Sequence, residues 1–195
     1  PWPENAGGRQ MSKIPSLILS AREKWKYRGQ IRPSFAKPIE AGQESVWDYP
    51  RPPRIERDSR EVIVMRTGTV VAKTSRAIRV LETASPPTFY LPPQDVRIDL
   101  LAEANGNSIC EWKGLARYWS IALPDQRLLR NAAWSYDDPF EGFEQIAGYF
   151  SFYPRLVDCS VDGRRVLPQP GHSYGGWVTP EIIGPFKGEA GTGSW

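Results

Sequence analysis

With 195 residues and 40% hydrophobic content, the chain is long enough for one well-buried domain plus extensions, while 19 prolines and 8 tryptophans argue for short strands and turns over a helical bundle. No apolar run approaches the roughly 20 residues needed to span a membrane as a helix, and nothing resembles a secretory signal, which predicts a cytoplasmic protein. The net charge of +3 is uneven: residues 1–43 hold 8 Lys/Arg against 3 Asp/Glu, and the rest holds 17 against 19, so a basic nucleic-acid face on the folded body is not favoured.

The first ten residues show no periodicity, and Met11 is a natural starting point after an extraneous lead. Ser16 to Arg28 reads as a short helix: Leu17, Ala21 and Trp25 recur every four residues, Ser16 can cap the start, and Gly29 follows the end. Its basic residues allow a membrane-surface or acidic-partner role, but a helix laid on the domain with a solvated face is preferred. Ile31 to Gly42 is linker-like. These features predict an N-terminal extension over 1–43, a folded domain over 44–166 and a Gly/Pro-rich tail over 167–195.

Within the domain, Glu44 to Arg57 is extended because its prolines forbid helix. Glu61–Met65 and Val70–Lys73 flank a Thr67-Gly68-Thr69 hairpin signal. Ala77–Glu82 continues as a strand. Two Pro-Pro steps then bracket Tyr90 and predict that it is presented at a rim. Val96, Ile98 and Leu100 alternate as another strand, and Asn105-Gly106-Asn107 is expected to turn the chain. After a turn at Pro124-Asp125, Leu128–Ser135 returns to the sheet. Asp138-Pro139-Phe140-Glu141 has the signature of a helix start, with Phe143, Ile146, Ala147 and Phe150 on one face. Phe152–Ser160 is expected to form a last strand before the Asp162-Gly163 turn. The tail cannot make its own core, although its aromatics can anchor it across the domain or onto a second copy. The fold class is mainly antiparallel β with one or two short helices.

The most informative stretch is CEWKGLARYW, Cys110 to Trp119. Cys110–Gly114 reads as a tight turn and Leu115–Leu123 as a strand, with Arg117 and Trp119 on one side and Ala116 and Tyr118 on the other. The turn has half the outline of a zinc knuckle, but Lys113 stands where the second cysteine would be, and an ammonium cannot replace a thiolate at zinc. No residues have metal spacing, and no cofactor is expected. The two cysteines, Cys110 and Cys159, read as free thiols. The single histidine, His172, sits in a glycine-rich loop without a partner nucleophile. Cys110 is either a nucleophile tuned by Lys113 or a buried turn cysteine. Lys113, Arg79 and Arg76 either clamp an anion or pair with Glu82, Asp95 and Glu111. Trp119, Trp134, Tyr118, Tyr136 and Tyr90 together suit the walls of a pocket for a planar or cationic ligand.

Trp47-Asp48-Tyr49-Pro50, then Ser75 to Val96, then CEWKGLARYW, then Ala132 to Pro139 resemble, in that order, motifs of the domain-of-unknown-function 427 family. The resemblance covers about Glu44 to Gly163, and the ending GPFKGEAGTGSW is similar to the tail of longer members, with Ala190 in place of a proline. It implies a β-tent, two antiparallel sheets meeting at an angle as in the thalidomide-binding domain of cereblon, with a ligand pocket at the cleft between them. Relatives of that fold hold zinc through paired Cys-x-x-Cys knuckles, which this chain lacks. The family also carries a nucleotidyltransferase-like label, for which these residues supply neither an acidic metal pair nor a phosphate loop. The positions matched to the motifs, and so the implied ligand-binding set, are Arg79, Glu82, Tyr90, Asp95, Cys110, Lys113, Tyr118, Trp119, Trp134 and Tyr136. Three functions follow from this reading: a small-molecule-binding module, an enzyme acting on a small anionic or nucleotide-like substrate through Cys110 or Glu82, or an interaction protein that self-associates through the basic helix or the tail.

Overall fold

A computed structural model of the chain describes residues 14–123, 127–193 and 195. The expected lead before Met11 and the turn at Pro124-Asp125 lie outside the described residues. Helix α1 spans Ser16–Glu23, shorter than the predicted Ser16–Arg28, and it follows Pro15 without a side-chain cap. None of its residues is buried. The chain leaves the helix because Arg22 and Trp25 are pulled toward the domain. Arg22 Nε donates to the Glu111 carbonyl at 2.6 Å, and Trp25 Nε1 donates to Glu111 Oε1 at 2.9 Å.

The strands that follow are β1 (Glu44–Ser45), β2 (Arg54–Asp58), β3 (Val62–Arg66), β4 (Thr69–Thr74), β5 (Ala77–Leu81) and β6 (Thr88–Tyr90). After them come β7 (Leu101–Cys110), β8 (Gly114–Ala122), β9 (Leu128–Ser135), β10 (Phe150–Phe152) and β11 (Asp158–Val161). Short strands β12 (Arg164–Arg165), β13 (Leu167–Pro168), β14 (Trp177–Val178) and β15 (Ile182–Ile183) complete the chain. Three antiparallel sheets dominate, in the orders β10-β9-β8-β7, β12-β11-β3-β4 and β2-β5-β6. The fold is mainly β and tent-like. Its ridge is the bridge between Leu91 and Phe150, whose N–H groups donate to each other's carbonyls at 2.8 and 2.9 Å and so carry β6 on to β10. No described helix is long and apolar enough to cross a membrane.

The β3–β4 hairpin forms where the sequence predicts, with Thr67 at φ 45° and Gly68 at φ 79° between the paired Arg66 and Thr69. Elsewhere the tertiary context overrides the local pattern. Val96, Ile98 and Leu100 do not form a strand. Val96 makes a single bridge to Ala72, and Ile98–Leu100 is a 3-10 turn that swings the chain into β7. Gly106, at φ 93°, lies inside β7 at a register slip between Glu103 and Asn107, so the Asn-Gly-Asn signal marks a bulge and not a turn.

The helix predicted from Asp138 is reduced to one 3-10 turn, Glu144–Ile146. Gly142 at φ 90° and Gly148 at φ 71° break it, the Glu144 carboxylate takes the Gly142 N–H at 3.0 Å, and the Phe140 N–H is spent on the Lys113 carbonyl at 3.1 Å. Phe152–Ser160 is two strands in different sheets. Pro154 interrupts it, and Leu156 N–H closes a turn on the Tyr153 carbonyl at 2.8 Å.

Three apolar cores form among the described residues. One gathers Val62, Val64, Phe89, Leu91, Ile121, Phe150, Phe152 and Trp177, a second gathers Ile78, Val80, Tyr90, Trp112, Ala116, Trp134, Tyr136, Phe143 and Ile146, and a third gathers Val46, Trp47, Tyr49, Leu81, Ala84 and Ile182. The tail lies across the domain: Trp177 stacks on Phe89 at 4.9 Å, and Trp195 stacks on Phe35 at 4.9 Å beside Trp47. Strand β1 pairs in parallel with β15, so the two ends of the domain are stitched to one another.

Candidate ligand-binding hollow

A hollow of about 310 Å³ opens beneath the ridge, between β5–β6 on one side and β8–β9 on the other. Strand parity decides which side chains reach it. On β5, Val80 and the residue after the strand, Glu82, point in, as does Tyr90 on β6, which shares the face of its β5 partner Ile78. On β8, Ala116 and Tyr118 point in, and on β9 Trp134 does, followed by Tyr136 just past the strand. The β7–β8 turn brings Cys110 and Lys113 to the buried end. That turn is closed by Gly114 at φ 101°, which pairs with Cys110 and packs against the Phe140 backbone.

Of the ten residues implied by the motifs, seven therefore meet here: Glu82, Tyr90, Cys110, Lys113, Tyr118, Trp134 and Tyr136. Three do not. Arg79 alternates with Ile78 and Val80, so it faces the opposite side of β5. There it holds Glu44 at 3.0 Å, Glu56 at 3.0 Å and Asp58 at 3.4 Å. Trp119 alternates with Tyr118 and packs edge-on against Phe150 at 5.5 Å, its Nε1 donating to Ser135 Oγ at 2.9 Å. Asp95 is carried past the ridge by Pro92-Pro93. It pairs with Arg76 at 2.8 Å and accepts from Thr74 Oγ1 at 2.5 Å, which holds its carboxyl below the ordinary range. Tyr90 is fully buried instead of standing on a rim, because the Leu91 bridge to Phe150 seals its strand under the ridge.

Sequence reasoning missed a further group supplied by the flanking segments: Trp25 before the domain, and Gln169, Gly175, Gly176 and Lys187 after it. The GHSYGGW glycines were the signal. A Cβ on Gly175 would come within 2.2 Å of the Trp134 ring, and one on Gly176 within 2.3 Å of Gln169 Oε1, so only glycine lets this loop lie against the hollow. Arg51, itself buried, sits behind. It donates to Glu82 Oε1 at 2.9 Å and covers the Trp25 ring at 4.2 Å, while Lys187 Nζ lies 3.4 Å from the same ring's centre.

The electrostatics of the buried end are unusual. Burial pulls the Lys113 ammonium down, but Cys110, Tyr90 and Glu82 outweigh that pull, and its pKa lies above the ordinary lysine value. Tyr90 is pushed up by burial, with Lys113 opposing. Burial also pushes Tyr136 well up. Lys187 is lowered to about 8 by burial and by the neighbouring Arg51 charge. Among the described residues the Tyr90 hydroxyl has no hydrogen-bond partner. The Trp134 indole leans toward its oxygen, but an N–H there would still leave the phenol's own proton without an acceptor. Among the described residues no carboxylate stands within ion-pair distance of Lys113, since Glu82 is occupied by Arg51. Nor do three His, Cys, Asp or Glu side chains converge as a metal site requires among those residues. His172 meets Arg155 at 3.2 Å on the surface.

No curated protein matches the chain. The facing walls of the hollow, from Val80 to Tyr153, lie within residues 54–163, the span matched by the family model described as a domain of unknown function, DUF427, and with more than half of its length matched the chain belongs to that family.

Proposed function

We propose that this chain is a small-molecule-binding domain whose ligand lies in the hollow between the two walls. The observation that carries the reading is the convergence of Tyr118, Trp134, Tyr136 and Tyr153 around a reachable space that also receives Lys113 and the unpartnered hydroxyl of Tyr90. A concave site with aromatic walls and a few convergent polar groups is the usual form of a small-molecule site. A thermal-shift screen of a metabolite panel on the full chain tests it. A true ligand raises the melting temperature in proportion to the logarithm of its concentration, and Trp134→Ala removes the shift. A panel without a stabiliser, with Trp134→Ala behaving as the parent does, counts against the reading.

A second reading, an enzyme with Cys110 as nucleophile, draws support from the half-buried thiol beside Lys113 in the same hollow. Iodoacetamide labelling across pH discriminates: a Cys110 that titrates like a free thiol, or stays unlabelled in the folded chain, removes that version.

A further inference from the structure

Accepting that the hollow binds a small molecule, we infer that its ligand class is a small planar monoanion, an aromatic or conjugated carboxylate, held at the buried end by Lys113 Nζ and the Tyr90 hydroxyl with its ring against Trp134, Tyr136 and Tyr153. The buried end offers donors, and its carboxylate, Glu82, is already held by Arg51. Lys113 is only 9% exposed yet has no carboxylate partner among the described residues, and Tyr90 is 0% exposed with its hydroxyl unsatisfied. Buried polar groups are nearly always paired, so an unsatisfied phenol beside an ammonium whose near partner is the Cys110 thiol describes the acceptor that fits them.

A cation is disfavoured by the same count. The Glu82 carboxylate is engaged by Arg51 and Glu111 by the Trp25 indole, and the Trp25 ring already carries Arg51 at 4.2 Å and Lys187 at 3.4 Å. The glycine loop does not make a phosphate cradle, because the Gly176 N–H is spent on Gln169 Oε1 at 3.1 Å. One ammonium and one phenol proton match the two oxygens of a carboxylate better than the three of a phosphate. A volume of about 310 Å³ suits one or two fused rings.

Titration calorimetry of the full chain with indole-3-carboxylate, its neutral carboxamide, benzoate, benzylamine and inorganic phosphate tests the inference. The carboxylates should bind about tenfold or more tighter than the carboxamide, with Lys113→Met losing about tenfold or more and Tyr90→Phe about threefold to tenfold. Tyr90→Phe removes a buried hydroxyl that lacks a partner among the described residues, and Lys113→Met removes a buried ammonium with no carboxylate beside it, so both should melt at or above the temperature of the parent protein while binding worse. A purely structural role cannot produce that pairing of opposite signs. If Lys113→Met fails to fold, or melts lower, Lys113 is satisfied within the fold and its assignment falls. Tyr90→Phe then decides the hydroxyl alone. Carboxamide or amine binding as tightly as carboxylate, with Trp134→Ala abolishing it, overturns the anion while leaving a small-molecule site. Phosphate displacing the carboxylates overturns the carboxylate assignment. No binding by any probe overturns this inference, and the metabolite screen with Trp134→Ala then judges the broader reading separately.

Discussion

Lys187 shows how one residue far along the chain can set the chemistry of a site built elsewhere. Its ammonium rests on the Trp25 ring near Arg51, and its pKa falls from 10.5 to about 8. Between those two values the unfolded chain binds a proton at this position that the folded chain has released, so stability rises with pH across that window and is lowest below it. Urea unfolding measured from pH 7 to 9.5 should show this rise, and Lys187→Met should flatten it. At the same scale, Gly175 is held to its side chain of one hydrogen by the Trp134 ring 2.2 Å from where a Cβ would sit. Gly175→Ala should cost about 1–3 kcal/mol and shift the fluorescence of Trp134, because either the ring or the loop must move.

At the scale of the element, the alternation of side chains along a strand sorts charge from pocket. Strand β5 sends Val80 into the hollow, with Ile78 on the same face, and Arg79 to the other face, where the guanidinium is enclosed by Glu44, Glu56 and Asp58. Asp58 is also held by Arg60 at 2.6 Å; burial works against its carboxylate, but the arginines prevail and its pKa lies below the ordinary value. Arg79→Met leaves these carboxylates without their shared cation and should cost about 3 kcal/mol in chemical denaturation, with no change in whatever the hollow binds. Strand β8 repeats the rule: Tyr118 and Trp119 are neighbours in sequence and so cannot share a face. Trp119→Ala should therefore destabilise the ridge through Phe150 and leave the hollow's walls in place.

For the whole molecule, the tail is part of the core. Trp177 is fully buried, stacks on Phe89 and donates its Nε1 to the Phe152 carbonyl at 3.0 Å. Trp177→Ala should cost about 3–5 kcal/mol, read as a lowered urea midpoint with an unchanged slope. The pH profile of the whole molecule follows from its buried groups. Tyr90, Tyr136 and Tyr153 are all pushed up by burial, so the folded chain keeps phenol protons that the unfolded chain gives up above pH ~10, and stability is lost as pH climbs beyond that point. With the opposite slope from Lys187 below it, a maximum near pH ~9–10 is expected.

Local chemistry alone determined the β class, the Thr67-Gly68 hairpin, the Cys110–Gly114 turn and the strand at Leu128–Ser135, because each rests on nearest-neighbour sterics and a period of two that the chain displays openly. Parity was legible too: it already separates Trp119 from Tyr118 and Arg79 from Val80. What the residue order could not disclose was the company each side chain keeps across the fold. The loss of a helix after Asp138, the burial of Tyr90 under the Leu91–Phe150 ridge, and the arrival of Trp25 and Lys187 at the same hollow depend on contacts between segments tens of residues apart. Those contacts prevail because burying apolar rings and pairing backbone groups outweigh the small preferences that any short stretch expresses by itself.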